Sequence, residues 1–130
     1  LAVGTAASNA GQFFYEATQT DSMLETALEV TVGDGVAFEF SVVNAGDTPI
    51  ELTFRDACRA DFAVYGTDRE VWCYSDGRAF DQSLTEANLQ PGEAATFGEA
   101  WPSPEPGDYT AEATLRVRER DVSARTPFSV

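Results

Sequence analysis

Hydrophobic and polar residues alternate along most of this chain from Leu28 onward, and a period of two is the pattern of a half-buried β-strand. Along residues 28–32, three aliphatic side chains alternate with Glu29 and Thr31. A Gly-Asp-Gly turn follows, and a second alternating run occupies residues 36–42. Because the sequence shows no helical period, the chain is predicted to be all-β.

Short runs of the same kind recur at regular spacing and are separated by turns rich in Gly, Pro and Asp. The clearest alternation is that of residues 109–117. Eight or nine short antiparallel strands with this spacing predict an immunoglobulin-like β-sandwich of two sheets. The further predicted strands are residues 50–54, 61–65, 70–74, 82–89, 95–101 and 122–130, and Leu84 and Leu89 are expected to anchor the strand at 82–89.

The first part of the chain differs from the rest. Residues 1–22 are rich in small and polar residues and have no sustained period, and the only Met in the chain is Met23. We expect one β-sandwich domain over residues 23–130, preceded by an extension or flexible arm over 1–22. One interpretation is that translation starts at Met23 and that the extension is foreign to the domain. The other is an ordered arm, in which residues 13–15 (Phe-Phe-Tyr) add a strand to a sheet edge.

The charge of the chain is strongly one-sided. It has 22 acidic residues against 8 cationic ones, all of them Arg, and neither Lys nor His, which gives a net charge of −14. Such self-repulsion is tolerated at molar salt, where the Debye length falls to about 3 Å. The composition therefore predicts a halophilic, archaeal protein with a hydrated acidic surface. It disfavours nucleic acid and anionic membranes as partners, since both require clusters of cationic residues.

The chemical inventory argues against an enzyme. Without His and Lys, the common general bases, Schiff-base amines and nitrogen ligands for metals are missing, so we expect no catalytic residues, no cofactor and no metal site. Cys58 and Cys73 are compatible with a disulfide, a metal half-site or neither. A hairpin centred at residues 67–68 would place Cys73 opposite Phe62, which favours two reduced thiols and a cytoplasmic location. An extracellular or cell-surface location is the alternative.

Several local motifs occur in a fixed order between Val71 and Glu93. The stretch can be written VWxYSxGxxFxQxLxxxxLxPGE, and it is preceded by the turn at residues 44–49 and the strand at 61–65, and followed by Trp101. Over residues 28–117 the chain thereby resembles the BsuPI family of intracellular proteinase inhibitors. The resemblance implies an immunoglobulin-like domain. For the founding member of the family it implies inhibition of an intracellular subtilisin-like serine protease.

No contact residue transfers from the resemblance, so the partner-binding loop has to be chosen from its setting between two strands. The main candidate is the loop over residues 75–80, with Arg78 projecting at its tip, and the second is the Pro-rich turn over 102–107. An alternative interpretation is that Gly77 serves only the backbone conformation and Phe80 only the core. The candidate partner-binding residues are Ser75, Asp76, Gly77, Arg78 and Phe80.

The sequence therefore leaves two hypotheses for the function. The first is a non-enzymatic inhibitor of a subtilisin-like serine protease. The second is an immunoglobulin-like adhesion or assembly module that pairs an edge strand with another chain. In both cases the expected partner is a protein, and the chain itself is expected to be a monomer or a weak oligomer.

Overall fold

The structure is a computed structural model that describes residues 2–8, 11–19, 24–118 and 121–130, with side chains from residue 24 onward. These residues form no helix, so none of them belongs to a helix that could cross a membrane. The boundary expected between residues 22 and 23 lies outside the described residues. The strands of the described residues are β1 (Ala2–Ser8), β2 (Gly11–Gln19), β3 (Leu24–Val32), β4 (Val36–Asn44), β5 (Ile50–Phe54), β6 (Ala60–Tyr65), β7 (Glu70–Cys73), β8 (Thr85–Leu89), β9 (Ala94–Trp101), β10 (Asp108–Leu115) and β11 (Val122–Ser129).

The strands are arranged in three sheets, and every pairing among them is antiparallel. One sheet has the order β1-β2-β3-β4-β9, the second has the order β11-β10-β6-β7, and β5 pairs with β8 in a small third sheet. In the first 19 residues, β1 and β2 pair with each other, and β2 pairs with β3. The prediction of an all-β, immunoglobulin-like sandwich is confirmed, and the described residues after 23 supply nine strands.

The core lies between the two larger sheets, and it is formed by the apolar side of each alternating strand. Phe38 on β4 contacts three aromatic rings of the opposite sheet. Its ring centroid lies 6.0 Å from that of Phe62, 5.8 Å from that of Trp72 and 6.1 Å from that of Phe128. Aromatic pairs at these separations add to the free energy gained by burying apolar surface. The period-two pattern thus has its physical cause in this shared core.

Asn44, at the end of β4, is a polar residue that is completely buried. Its side-chain amide donates to the main-chain oxygens of Thr48 and Leu89 at 2.8 Å each, and its Oδ1 accepts from the main-chain N–H of Gly46 at 2.9 Å. A buried amide whose hydrogen bonds are satisfied costs little and fixes the groups around it, whereas an unsatisfied one is expensive. Asn44 therefore joins β4, the following turn and the end of β8.

The turn after β8 is held by the main chain of the same residue. Gly92 N–H donates to the Asn44 carbonyl at 2.8 Å, and Asn44 N–H donates to the Glu93 carbonyl at 3.0 Å. Gly92 has a φ of 80°, which a residue with a side chain adopts only at a cost. We call residues 44–48 and 89–93 together the Asn44 corner. Within it, the Asn-Ala-Gly-Asp-Thr and Leu-x-Pro-Gly-Glu motifs contact each other.

The predicted strand over 82–89 was too long. Regular pairing begins only at Thr85, and Leu84 is 61% exposed, whereas Leu89 is buried as expected. The reason is the partner strand, because β5 ends at Phe54 opposite Thr85 and offers nothing for residues 82–84 to pair with. Alternation alone could not reveal where a neighbouring strand ends.

Candidate functional site

The connection from β7 to β8 consists of residues 74–84 and has no regular secondary structure; we call it the β7–β8 loop. All five sequence-predicted site residues lie in this loop, within residues 75–80. Asp76, Gly77 and Arg78 are exposed, while Ser75 and Phe80 are partly buried. The loop therefore has a polar exposed tip, and the partly buried Tyr74, Ser75 and Phe80 lie closer to the sandwich.

Asp61 on β6 fixes the beginning of this loop. Its carboxylate accepts from the Ser75 hydroxyl at 2.6 Å and from the Ser75 main-chain N–H at 3.1 Å. It also accepts from the main-chain N–H of Phe62 at 2.9 Å. Hydrogen bonds to a carboxylate are stronger than bonds between neutral groups. Ser75 is thus held against the sheet by two hydrogen bonds to the Asp61 carboxylate, and its own hydroxyl is occupied.

The loop then makes a tight turn that needs a glycine. Asp76 N–H donates to the Cys73 carbonyl and Arg78 N–H to the Ser75 carbonyl, both at 3.2 Å. Gly77 has a φ of 73°, and a Cβ atom placed on it would have no heavy atom within 4 Å. The requirement for glycine is therefore one of backbone conformation and not of space.

Arg78 does not project from the tip as expected from the sequence. Its Nε donates to the Tyr74 carbonyl at 2.7 Å, and its guanidinium carbon lies 4.4 Å from the centre of the Tyr74 ring. A guanidinium gains from an aromatic face and from a main-chain acceptor together, so the side chain folds back although it stays exposed. It presents a flat cationic surface over Tyr74.

Phe80 and Asp81 attach the middle of the loop to the sandwich. The Phe80 ring lies 6.2 Å from the Tyr74 ring, and both line a cavity of about 210 Å³ that also borders Phe97 on β9. The Asp81 carbonyl accepts from the Ala57 main-chain N–H at 2.9 Å. With the Asp61 contacts, the loop thus has two attachments to the body of the domain before it reaches β8.

The two cysteines lie beside this loop and are both free thiols. Cys73 pairs with Ala63, not with Phe62 as predicted, because an irregularity between Val64 and Tyr65 shifts the register of the hairpin. Burial raises the pKa of the Cys58 thiol to about 11, and burial also raises the pKa of Cys73. Both raised pKa values favour the protonated thiol, which is the weaker nucleophile.

The second candidate loop, the Pro-rich turn over residues 102–107, is also held by hydrogen bonds. The turn over residues 102–107 is tied down at its end, where Gly107 and Val130 exchange two main-chain hydrogen bonds of 3.1 and 2.9 Å, and the Tyr109 hydroxyl donates to the Glu105 carbonyl at 2.7 Å. Across residues 24–118 and 121–130, no three His, Cys, Asp or Glu side chains lie close enough together to hold a metal ion.

Comparison with protein-family models identifies the family of this chain. Residues 24–120 match the family model of BsuPI, whose description is intracellular proteinase inhibitor. The chain belongs to the BsuPI family. No curated protein matches this sequence.

Two solved structures contain a region similar to this BsuPI chain. One is a calcium-binding mutant of Bacteroides uniformis beta-glucuronidase 2, with 17% identity, a TM-score of 0.42, and coverage of 92% of this chain but 13% of the glucuronidase. The other is a Bifidobacterium adolescentis GH3 beta-glucosidase, with 14% identity, a TM-score of 0.38, and coverage of 98% and 17%. The chain thus spans a small part of each protein. At these TM-scores neither similarity carries information about function.

The motif residues of this BsuPI domain include some that belong to the core and not to the loop. Trp72 stacks between Phe38 at 5.8 Å and Trp101 at 6.2 Å, and so belongs to the core. Asp61, which holds the loop, was not among the predicted site residues, because its contact with Ser75 joins residues 14 positions apart. Leu84 was expected to anchor the strand at 82–89 and is instead exposed.

Proposed function

We propose that this chain is a non-enzymatic protein-binding domain that inhibits an intracellular subtilisin-like serine protease. The observation that carries the proposal is membership of the BsuPI family, which is described as intracellular proteinase inhibitor. The contact surface in this proposal is the tip of the β7–β8 loop, with Asp76, Gly77 and Arg78 facing the protease. Ser75 and Phe80 position the loop from its inner side.

The attachments of the loop support this assignment. A loop that enters a protease cleft has to be ordered beforehand, because ordering it on binding would cost free energy and a flexible loop would be cut as a substrate. Asp61 holds the loop at Ser75, and Ala57 holds it at Asp81. Between these two points the Arg78 side chain lies on Tyr74, which removes much of its rotational freedom before binding.

The remaining expectations belong to the same proposal. The domain acts as a monomer or weak oligomer in a salt-rich cytoplasm, where residues 23–130 carry the inhibitor and residues 1–22 form an extension or arm. Its partner is a protein, and its acidic surface excludes nucleic acid and membranes. Its mechanism requires neither a cofactor nor a metal, since inhibition needs only that the loop occupy the cleft.

Replacing Arg78 tests the proposal. Inhibition constants are measured for the intact chain and for Arg78→Ala in molar potassium chloride against a purified, salt-tolerant subtilisin-like protease. We expect the variant to inhibit about tenfold more weakly, which corresponds to about 1.4 kcal/mol of lost binding free energy. The thermal midpoint is expected to stay nearly constant, because the side chain is exposed.

A matched control is Arg125→Ala. Arg125 also lies over a tyrosine, at 5.4 Å from the Tyr65 ring, but it is on β11, at the opposite edge of its sheet from β7. The control is expected to keep full inhibition. Failure of the intact chain to inhibit any such protease would contradict the proposal and would leave the adhesion or assembly module as the working hypothesis.

A further inference from the structure

Two large hydrophobic side chains are exposed in the part of the chain for which side chains are described. Val71 on β7 is 41% exposed and Leu84 at the end of the β7–β8 loop is 61% exposed. Single exposed hydrophobic residues are common and need no explanation by themselves. Leu84 differs from Val71 because it lies outside any strand, in the same loop that the proposed function uses.

The segment that carries Leu84 is short and is held at both ends. Its first end is Asp81, whose carbonyl accepts from Ala57 at 2.9 Å, and its second end is Thr85, which pairs with Phe54. Residues 82–84 take part in none of the loop hydrogen bonds that tie residues 74–81 to the sandwich. A segment of three residues between two fixed points has few conformations to lose on binding.

The surroundings of Leu84 along the chain are polar. Gln82 and Ser83 precede it, and Thr85 and Glu86 follow it; apart from the half-buried Thr85, all of them are exposed. A single apolar side chain between polar neighbours, on a segment with unused main-chain groups, matches the way an extended peptide is recognised. The main chain supplies strand-like hydrogen bonds and one side chain fills a pocket.

We propose that Leu84 is the side chain that this domain inserts into the apolar primary pocket of the protease, so that the contact surface runs from the tip at Arg78 to the end of the loop. This inference rests on the proposed function and makes it more specific. It commits to a protease whose primary pocket is apolar and whose cleft has neutral or cationic groups at the rim, because Asp81 and Glu86 flank Leu84 along the chain. A protease with an acidic primary pocket would not accept this segment.

The test compares four forms of the chain: the intact sequence, Leu84→Ala, Leu84→Met and Val71→Ala. Inhibition constants are measured in molar potassium chloride against a purified subtilisin-like serine protease with an apolar primary pocket. We expect Leu84→Ala to inhibit about tenfold to a hundredfold more weakly, as follows from losing a buried leucine side chain at the interface. Leu84→Met keeps the volume and apolar character and is expected to inhibit nearly as well as the intact chain.

Val71→Ala is the matched control, since it removes the other exposed hydrophobic side chain and is expected to leave inhibition unchanged. Thermal unfolding of each variant shows that the fold is retained. If Leu84→Ala inhibits like the intact chain, or if Val71→Ala loses as much, the inference is overturned while the proposed function stands. If the intact chain does not inhibit this protease, the inference is overturned; the proposed function is overturned as well only when the intact chain also fails against subtilisin-like proteases with other primary pockets.

Discussion

The Asn44 corner and the β7–β8 loop both contain motifs of the BsuPI family, but their residues are used in opposite ways. In the corner, a completely buried asparagine is surrounded by hydrogen-bond partners, and its surroundings are main-chain groups of the same domain. In the loop, the tip is exposed, and Tyr74, Ser75 and Phe80 are partly buried. Membership of a motif therefore does not separate residues that build the fold from residues available to a partner. Burial and hydrogen bonding do.

Two glycines with similar backbone angles, one in each region, also differ in whether they serve the fold or are exposed. Gly92 in the corner has a φ of 80° and Gly77 in the loop has a φ of 73°. At both positions an added Cβ would meet no heavy atom within 4 Å. The backbone requirement is the same, but the N–H of Gly92 donates to Asn44 whereas Gly77 forms an exposed tip.

The largest expected effect comes from breaking the corner. Asn44→Ala removes three side-chain hydrogen bonds and leaves the buried carbonyl of Leu89 without this donor. At roughly 1 kcal/mol for each bond, we expect a loss of about 3 kcal/mol in the free energy of unfolding. Chemical denaturation in high salt measures it. Asn88→Ala, an exposed asparagine on β8, serves as the control and should cost less than about 0.5 kcal/mol. Equal losses of unfolding free energy for the two variants would show that the corner contributes no more to stability than an exposed position does.

An intermediate effect is expected from the glycine pair. Gly92→Ala and Gly77→Ala each force an alanine into the left-handed region, which costs about 1–2 kcal/mol. Because neither new methyl group meets a neighbour, the two losses in unfolding free energy should be similar. Inhibition should differ, since only Gly77 lies on the proposed contact surface. If the two variants differ in unfolding free energy but inhibit equally well, the loop is not the contact surface and the two regions do not differ in the way described.

The smallest expected change in the free energy of unfolding comes from a pair of acidic residues that lie outside both regions. The pair shows how much surface charge alone contributes to stability. Glu29 and Glu39 are directly opposite on β3 and β4, and burial together with the charge of Glu39 raises the pKa of Glu29. A carboxyl whose pKa is raised by folding stabilises the fold at acid pH and loses this contribution as the pH rises through the raised value. At neutral pH both acids repel each other, and Glu39→Gln should therefore add about 0.5 kcal/mol.

This gain should shrink at acid pH, where the Glu29 carboxyl with its raised pKa is protonated, and in molar potassium chloride, where the repulsion is screened. Glu51→Gln is the matched control, because it removes the same charge from a position that faces Asn88 and no acid. Thermal midpoints measured at two pH values and two salt concentrations check the prediction. Equal gains for the two variants would mean that net charge, and not this pair, limits stability.

Much of the fold was predictable because alternation reports which side of a strand meets the core. It placed β4, β5 and β10 within a few residues of their observed bounds. The prediction failed where the structure depends on another part of the chain. Leu84 is not part of a strand because β5 ends at Phe54. Cys73 lies opposite Ala63, and not Phe62, because of the irregularity between Val64 and Tyr65. No local pattern carries that information.

The site was predicted to a smaller extent, for a related reason. The position of the loop followed from its place between two strands, and its glycine followed from the turn. The orientation of Arg78 did not, because it depends on the Tyr74 ring and carbonyl lying beneath it. The importance of Asp61 was likewise hidden, since its contact with Ser75 joins residues 14 positions apart.

The bond between Asn44 and Leu89 has a consequence for the rate at which the domain acquires its final form. It joins residues 45 positions apart, so everything between β4 and the end of β8, including the β7–β8 loop, lies inside the segment that it closes. Closing so long a segment has a cost in chain entropy that is met before the contact is gained, and β-sandwiches dominated by such contacts fold in about milliseconds to seconds. We therefore expect the two ends of this segment to be joined, and the loop within it to be held in place, only on this slow timescale after the chain is made.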